Sequence, residues 1–128
     1  MHPYTRVLQT YMDALGRSDY EAVKGLFATN GMVRSPFLGE MQAGPFFDRL
    51  AQASSNNVIT PIDIFLSDSG TNLATAYFQY DWTVRDGTLI TFKVMDLFTF
   101  DPHDQVTYLD LIYDTHPIRT SAGNKYEL

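Results

Sequence analysis

Cysteine is absent from this sequence, so disulfides and thiolate chemistry are excluded and neither redox compartment is positively indicated. Basic residues are scarce: nine Lys and Arg stand against fifteen Asp and Glu, a formal charge of −6. That balance argues against a phosphate backbone or an anionic membrane as the main partner, so neither nucleic acid nor membrane is expected. No stretch approaches the ~18 apolar residues of a membrane span, and the opening "MHPYTRVLQTYMDALG" has no basic region followed by an apolar block. A soluble, cytoplasmic protein is the expectation. Local signatures are missing as well. There is no GxGxxG or GxxxxGK[ST] phosphate loop, no GxSxG elbow and no HExxH, which leaves the usual dinucleotide, nucleotide, hydrolase and zinc-protease readings without support. His2 is terminal, His103 sits in a "DPHD" turn and His116 follows the last expected strand; such scatter makes no metal site, and no cofactor is expected. With no repeat, low-complexity segment or linker, the 128 residues read as one domain, 1–128.

What is present is a 45% hydrophobic chain, enough for a real core at this length. From Tyr4 to Leu15 the apolar residues Tyr4, Val7, Leu8, Tyr11, Met12 and Leu15 fall at three- and four-residue spacings, which predicts an amphipathic helix ending near Gly16. "SDYE" follows a capping-box pattern, with Ser18 as cap and Glu21 three residues on. It predicts a second helix carrying Val23, Leu26 and Phe27 and stopping before Asn30-Gly31. A short extended piece, "MVRSPF", leads to "LGEMQAGP", and "FFDRLAQAS" has the apolar spacing of a third helix that can begin at Pro45. Beyond Asn57 the texture becomes strand-like in "VITPIDIFLSD", "LATAYFQYDWTV", "LITFKVMDLFTF" and "QVTYLDLIYD". Asp86-Gly87 marks a hairpin between the second and third of these, and "SDSGTN" and "DPHD" supply the other turns. The expected fold is α+β: three N-terminal helices covering one face of a curved, four-stranded antiparallel meander.

The third strand carries an anomaly. Alternation puts Phe92, Val94, Asp96, Phe98 and Phe100 on one face, and a carboxylate on that apolar face is costly unless it is paired, hydrogen-bonded or protonated. Asp96 is therefore either a satisfied structural group or part of a pocket in the concave side of the sheet.

The order of elements, with "SDYEAVKGLFATNGMVRSPF" early and "MDLFTFDPHDQV" near the end, resembles the cone-shaped fold of nuclear transport factor 2, ketosteroid isomerases and SnoaL-like polyketide cyclases. The likeness runs from about Val7 to Asp114. It specifies the fold far better than the function, because this scaffold hosts many activities. The local likeness is to the ketosteroid isomerases, which use a helix-1 tyrosine and a strand aspartic acid, kept neutral by its apolar site, as donors to an enolate. Tyr11 in "QTYMDAL" and Asp96 in "VMDLFTF" match them. The isomerase general base, an aspartate before a proline, is replaced by Ser35 in "VRSPF", and a neutral hydroxyl cannot take an α-proton as a carboxylate does. Glu40, close in sequence, and Asp110 and Asp114 on the last strand are the alternative bases. Tyr113 falls where some isomerases of this type carry a pocket tryptophan.

Each residue also has a plain structural reading. Tyr11 on an apolar stripe fits a core tyrosine with its hydroxyl tied off, Ser35 fits a turn before proline, and Trp82 and Tyr80, sharing a face with Phe78, fit core or interface. The first functional reading is a cofactor-independent isomerase- or cyclase-like enzyme acting on an apolar carbonyl compound, steroid-like or polyketide-like. Tyr11 and Asp96 would stabilise the developing oxyanion, with Phe37, Phe47 and Trp82 enclosing the ring. A second enzymatic reading is hydration or dehydration, with water held by Ser35 or Asp110. The rival is a ligand-binding or interaction module that keeps the cone without the chemistry. A homodimer through the sheet is implied by the resemblance.

Overall fold

The computed structural model of the protein describes residues 1–121. It contains α1 (Pro3–Gly16), α2 (Tyr20–Lys24), β1 (Phe27–Ser35), β2 (Gly39–Gln42), α3 (Ala43–Ala53), β3 (Ser54–Leu66), β4 (Leu73–Val84), β5 (Leu89–Phe100), β6 (Val106–Tyr113) and α4 (His116–Ser121). The six strands form one curved, unclosed sheet in the order β2-β1-β6-β5-β4-β3. α1 packs against β3 and β4, α3 against β1, β2 and β3, and α4 against β5, so the helices fill the concave face and the core lies between.

α1 is nearly as its spacing predicts. Pro3 opens it, the His2 side chain accepts from the Tyr4 N–H at 3.1 Å, and Leu8, Tyr11, Met12, Ala14 and Leu15 are buried along one stripe. α2 departs from expectation at both ends. Ser18 has φ +56° and lies outside the helix; Asp19 is the cap instead, accepting from the Ala22 N–H at 3.1 Å. At the other end the Leu26 carbonyl accepts from the Val106 N–H at 2.9 Å, and Phe27 pairs with Val106. Pairing with a distant strand overrides the helical spacing of Leu26 and Phe27.

The sheet thus has two strands more than the sequence pattern suggested, and one of its pairings, β1 on β6, is parallel. The register of that pair shifts between Phe27 and Met32, and Gly31 sits inside the irregularity. A Cβ there would lie 2.9 Å from Phe27 Cδ2 and 3.0 Å from the Val106 carbonyl, closer than packed atoms tolerate, so the bulge requires glycine. Between β1 and β2, Ser35 Oγ accepts from the N–H groups of Phe37 and Leu38 at 3.2 and 3.3 Å. This folds "SPFL" into a tight turn closed by Gly39 at φ +69°.

The meander β3 to β6 is antiparallel throughout, and β4 and β5 have the bounds read from the sequence. Asp86-Gly87 makes their hairpin, with Gly87 at φ +93° and Asp86 Oδ1 accepting from the Thr88 N–H at 2.9 Å. In the "DPHD" turn Asp101 Oδ1 accepts from the N–H groups of His103 and Gln105 at 2.8 and 3.0 Å, which accounts for that carboxylate structurally. No helix among the described residues is long and apolar enough to cross a membrane.

Candidate active site

β5 alternates strictly: Phe92, Val94, Asp96, Phe98 and Phe100 are all buried. Asp96 is 0% exposed, flanked across the sheet by Ala76 on β4 and Leu111 on β6. Tyr11 descends onto it from α1, where the helical stripe makes it part of the buried face. Its ring meets Phe98 edge-on, with centroids 4.9 Å apart at 78°, and lies 6.5 Å from Phe47. Its hydroxyl donates to Asp96 Oδ2 at 2.8 Å. The other oxygen, Oδ1, is buried with no hydrogen-bond partner.

These two oxygens define the chemistry. Burial pushes the Asp96 carboxyl from its ordinary 3.8 to about 7, against the opposing effect of the Tyr11 hydrogen bond; the negative charge of Asp110 adds to the rise. Burial, and then the Asp96 charge, hold the Tyr11 phenol well above its ordinary range, so Tyr11 stays a donor. A phenol has one proton to give, and Tyr11 gives it to Oδ2. The resemblance placed Tyr11 and Asp96 side by side on one ligand oxygen; in this structure they stand in series, and Asp96, a lining residue of the cavity, keeps its Oδ1 without a partner.

That cavity measures about 280 Å³, close to the lower end of small-molecule sites. Of the expected site residues, Tyr11, Ser35, Phe37, Phe47, Trp82, Asp96 and Tyr113 line it. The walls are apolar partly because their polar ends are bonded elsewhere. Trp82 Nε1 donates to Ser54 Oγ at 2.7 Å, and Ser54 passes its own proton to the Leu50 carbonyl at 2.6 Å. The Tyr80 hydroxyl donates to Asn57 Oδ1 at 2.8 Å, while Asn57 Nδ2 donates to the Tyr20 hydroxyl at 2.6 Å. Asn57, 2% exposed, thereby ties the α1–α2 junction to the sheet. The Tyr113 ring lies tilted at 44° to Phe92, with centroids 5.1 Å apart. Burial pushes its phenol up to about 12, with a hydrogen bond from Ser35 working the other way and the Asp96 charge adding.

The three alternative bases lie outside the lining. Glu40, on the edge strand β2, accepts from the Tyr108 hydroxyl at 3.0 Å in an exposed position. Asp110 takes the opposite face of β6 from Leu109, Leu111 and Tyr113, because successive strand residues alternate. Asp114 is exposed and accepts from the His116 N–H at 2.9 Å, at the start of α4. No second carboxylate lines the pocket among the described residues, and no group of three or more His, Asp or Glu among them is placed to hold a metal. Several of the lining residues were not among those expected from the sequence, those of α4 and most of those of α3 included. Ile118 of α4 closes one side, and α3 contributes Phe46, Arg49, Leu50 and Ala53. The signal for Arg49 was present, since 46, 49, 50 and 53 follow helical spacing along the face that Phe46 buries.

No protein-family model matches the chain, and no curated protein is similar enough in sequence to match. Solved structures do match, and they agree on the architecture. A nuclear transport factor 2-like protein of unknown function from Burkholderia pseudomallei superposes with a TM-score of 0.79 at 15% identity, over 94% of this chain and 97% of its own. One of unknown function from Cytophaga hutchinsonii gives 0.71 at 14%, over 90% and 93%. SalBIII, an epoxide hydrolase/cyclase-like enzyme with a role in pyran ring formation in the polyether salinomycin, gives 0.72 at 15%, over 87% and 90%. The fold is that of the nuclear transport factor 2-like proteins.

Proposed function

We propose that the pocket takes an apolar carbonyl compound, steroid-like or polyketide-like, and promotes its enolate chemistry, with Asp96 as the acid on the carbonyl oxygen. One observation carries the reading: Asp96 is fully buried, one oxygen receives the Tyr11 proton, and the other is unpartnered in the wall of an apolar cavity. A carboxyl held neutral there has its proton on Oδ1, and a ligand oxygen is the acceptor it lacks. Tyr11 is a positioning residue, holding the carboxyl plane and leaving Oδ1 as the donor.

Within this reading the balance between isomerase and cyclase turns on the base. Moving a proton from one carbon to another requires a base on the ligand's face, and Ser35 spends its acceptor capacity on Phe37 and Leu38. Cyclisation by attack of an already enolised carbon on a carbonyl needs chiefly the acid, so the cyclase-like form fits the side chains better. SalBIII, a cyclase-like enzyme on this fold, is consistent with that preference. The second reading, a binding module without chemistry, is favoured by Ser35 standing where the isomerase base would be.

Exchange of the α-protons of 2-tetralone in heavy water, followed by NMR, separates enzyme from binding module, because it reads the acid on the carbonyl oxygen that both enzymatic forms need while the buffer supplies the base. Enolate chemistry predicts exchange faster than in buffer, falling by about 100-fold or more in Asp96→Asn, the usual span for a positioned acid. Binding of the ketone without any acceleration would leave the binding module.

We also propose that the chain acts as a homodimer through the outer face of the sheet, as the resemblance implies. Tyr77, Met95 and Ile112 are paired in one row across β4, β5 and β6, and Met95 and Ile112 are exposed at 40% and 49%. Phe65 on β3 is exposed at 46%, and no described helix packs on that side.

A further inference from the structure

The pocket has a second polar pole. Asp96 lies at its floor with no exposed surface, and Arg49 lies at its rim, exposed to solvent yet part of the lining. Arg49 is the one Lys or Arg among the described lining residues, and none of the ion pairs among the described residues involves it. The adjacent carboxylate, Asp48, is already held by Lys24 at 2.8 Å. The remaining polar groups on this side are occupied too: Arg85 caps the end of α3 by donating from Nε to the Gln52 carbonyl at 2.8 Å. What sets Arg49 apart from the other exposed cations is its place: a guanidinium in no ion pair at the mouth of an apolar cavity is positioned to receive an anionic group.

Building on the reading of the same pocket given above, we propose that its ligand is an apolar carbonyl acid, whose carbonyl reaches Asp96 at the floor while its carboxylate is held by Arg49 at the rim. A guanidinium presents a planar fork that matches a carboxylate. A phosphate dianion would call for more positive charge than one arginine beside a surplus of acids supplies. The two poles also fix orientation. The apolar walls of Phe46, Leu50 and Trp82 take the body of the ligand in either direction, and only the charged end distinguishes them. Arg49 therefore selects which end enters first, and so which carbonyl meets the acid.

Three probes of one shape test this: 6-hydroxy-2-naphthoic acid, its methyl ester and 2-naphthol, each with a hydroxyl able to meet Asp96, titrated by their own fluorescence. The acid should bind about tenfold or more tighter than the ester, the factor one charge-assisted hydrogen bond supplies. The preference should shrink with added salt, because the rim is solvent-exposed. Arg49→Gln should bring the acid-to-ester ratio to about one, and Arg49→Lys should keep part of it. Asp96→Asn should weaken all three probes while leaving the ratio in place. Equal affinity for acid and ester, or a preference that survives Arg49→Gln, overturns the proposal. A ratio lost in Arg49→Gln with no response of any probe to Asp96→Asn sustains the rim site and removes Asp96 from ligand binding. Failure of all three to bind overturns both.

Discussion

Asp96 is where an energetic cost and a chemical capacity coincide. In the folded protein its carboxyl titrates at about 7, against an ordinary 3.8, so between those values the folded state binds a proton that the unfolded chain does not. Stability must then fall as the pH rises through that window, by at most about 1.4 kcal/mol per pH unit, and level off above it. Denaturant titrations from pH 4 to 8 should show that slope in the wild type and lose it in Asp96→Asn, which keeps an acceptor for Tyr11 and carries no titrating group. Tyr11→Phe has the opposite sign of effect on the acid: removing a hydrogen bond that lowers the Asp96 value should move the titration upward, visible as a later loss of the protonated carboxyl band in infrared spectra. An unchanged midpoint in that variant would mean that Tyr11 does not tune the acid. Because the Tyr11 hydroxyl bonds the Asp96 carboxyl directly, this shift is a signature that lost packing alone would not produce.

At the scale of elements, what could be read in the chain and what could not divide along sequence distance. β4 and β5 were legible to the residue, because period-two alternation and the Asp86-Gly87 turn are local signals, and they carried Asp96 to the correct face. The inward placement of Tyr11 followed from helical spacing in the same way. β1 was legible only in its second half, where "MVRSPF" reads as extended: Leu26 and Phe27 continue a helical pattern, and what makes the chain there pair as a strand is a partner, Val106, far along the sequence. The same limit applied to the bases. Asp110 and Tyr113 differ in face by a register that only the pairing with β5 fixes. Gly31 tests this account of β1. Gly31→Ala forces a Cβ against Phe27 and the Val106 carbonyl and should cost about 1 to 3 kcal/mol, as overpacking generally does, read as a lower denaturant midpoint. A neutral substitution would mean that the bulge relaxes and that β1 is not held as tightly as its contacts imply.

On the scale of the whole molecule, the two faces of the sheet have separate tasks. The concave face is sealed by α1, α3 and α4 around the acid, and the convex face exposes its apolar row to whatever meets it. Light scattering coupled to gel filtration should give twice the chain mass for the wild type. Met95→Glu, which puts a charge in the middle of the row between Tyr77 and Ile112, should shift the protein to the monomer while leaving the pH slope of Asp96 intact. A wild-type monomer at micromolar concentration would overturn the dimer.

The parallel pairing of β1 with β6 also carries a temporal meaning. Met32 lies beside Tyr108, so a nascent chain emerging from the ribosome releases β1 long before its partner has been made. The α1–α2 contacts and the β3 to β5 meander involve closer neighbours and can form in the meantime, whereas closing a loop as long as the one between β1 and β6 comes late and slowly. Ser35 and Phe37 at the end of β1 and Tyr113 at the end of β6 are walls of the same cavity. The binding site is accordingly among the last features to be completed during synthesis. A chain truncated before Val106 would carry Tyr11 and Asp96 without the strand that closes the pocket over them.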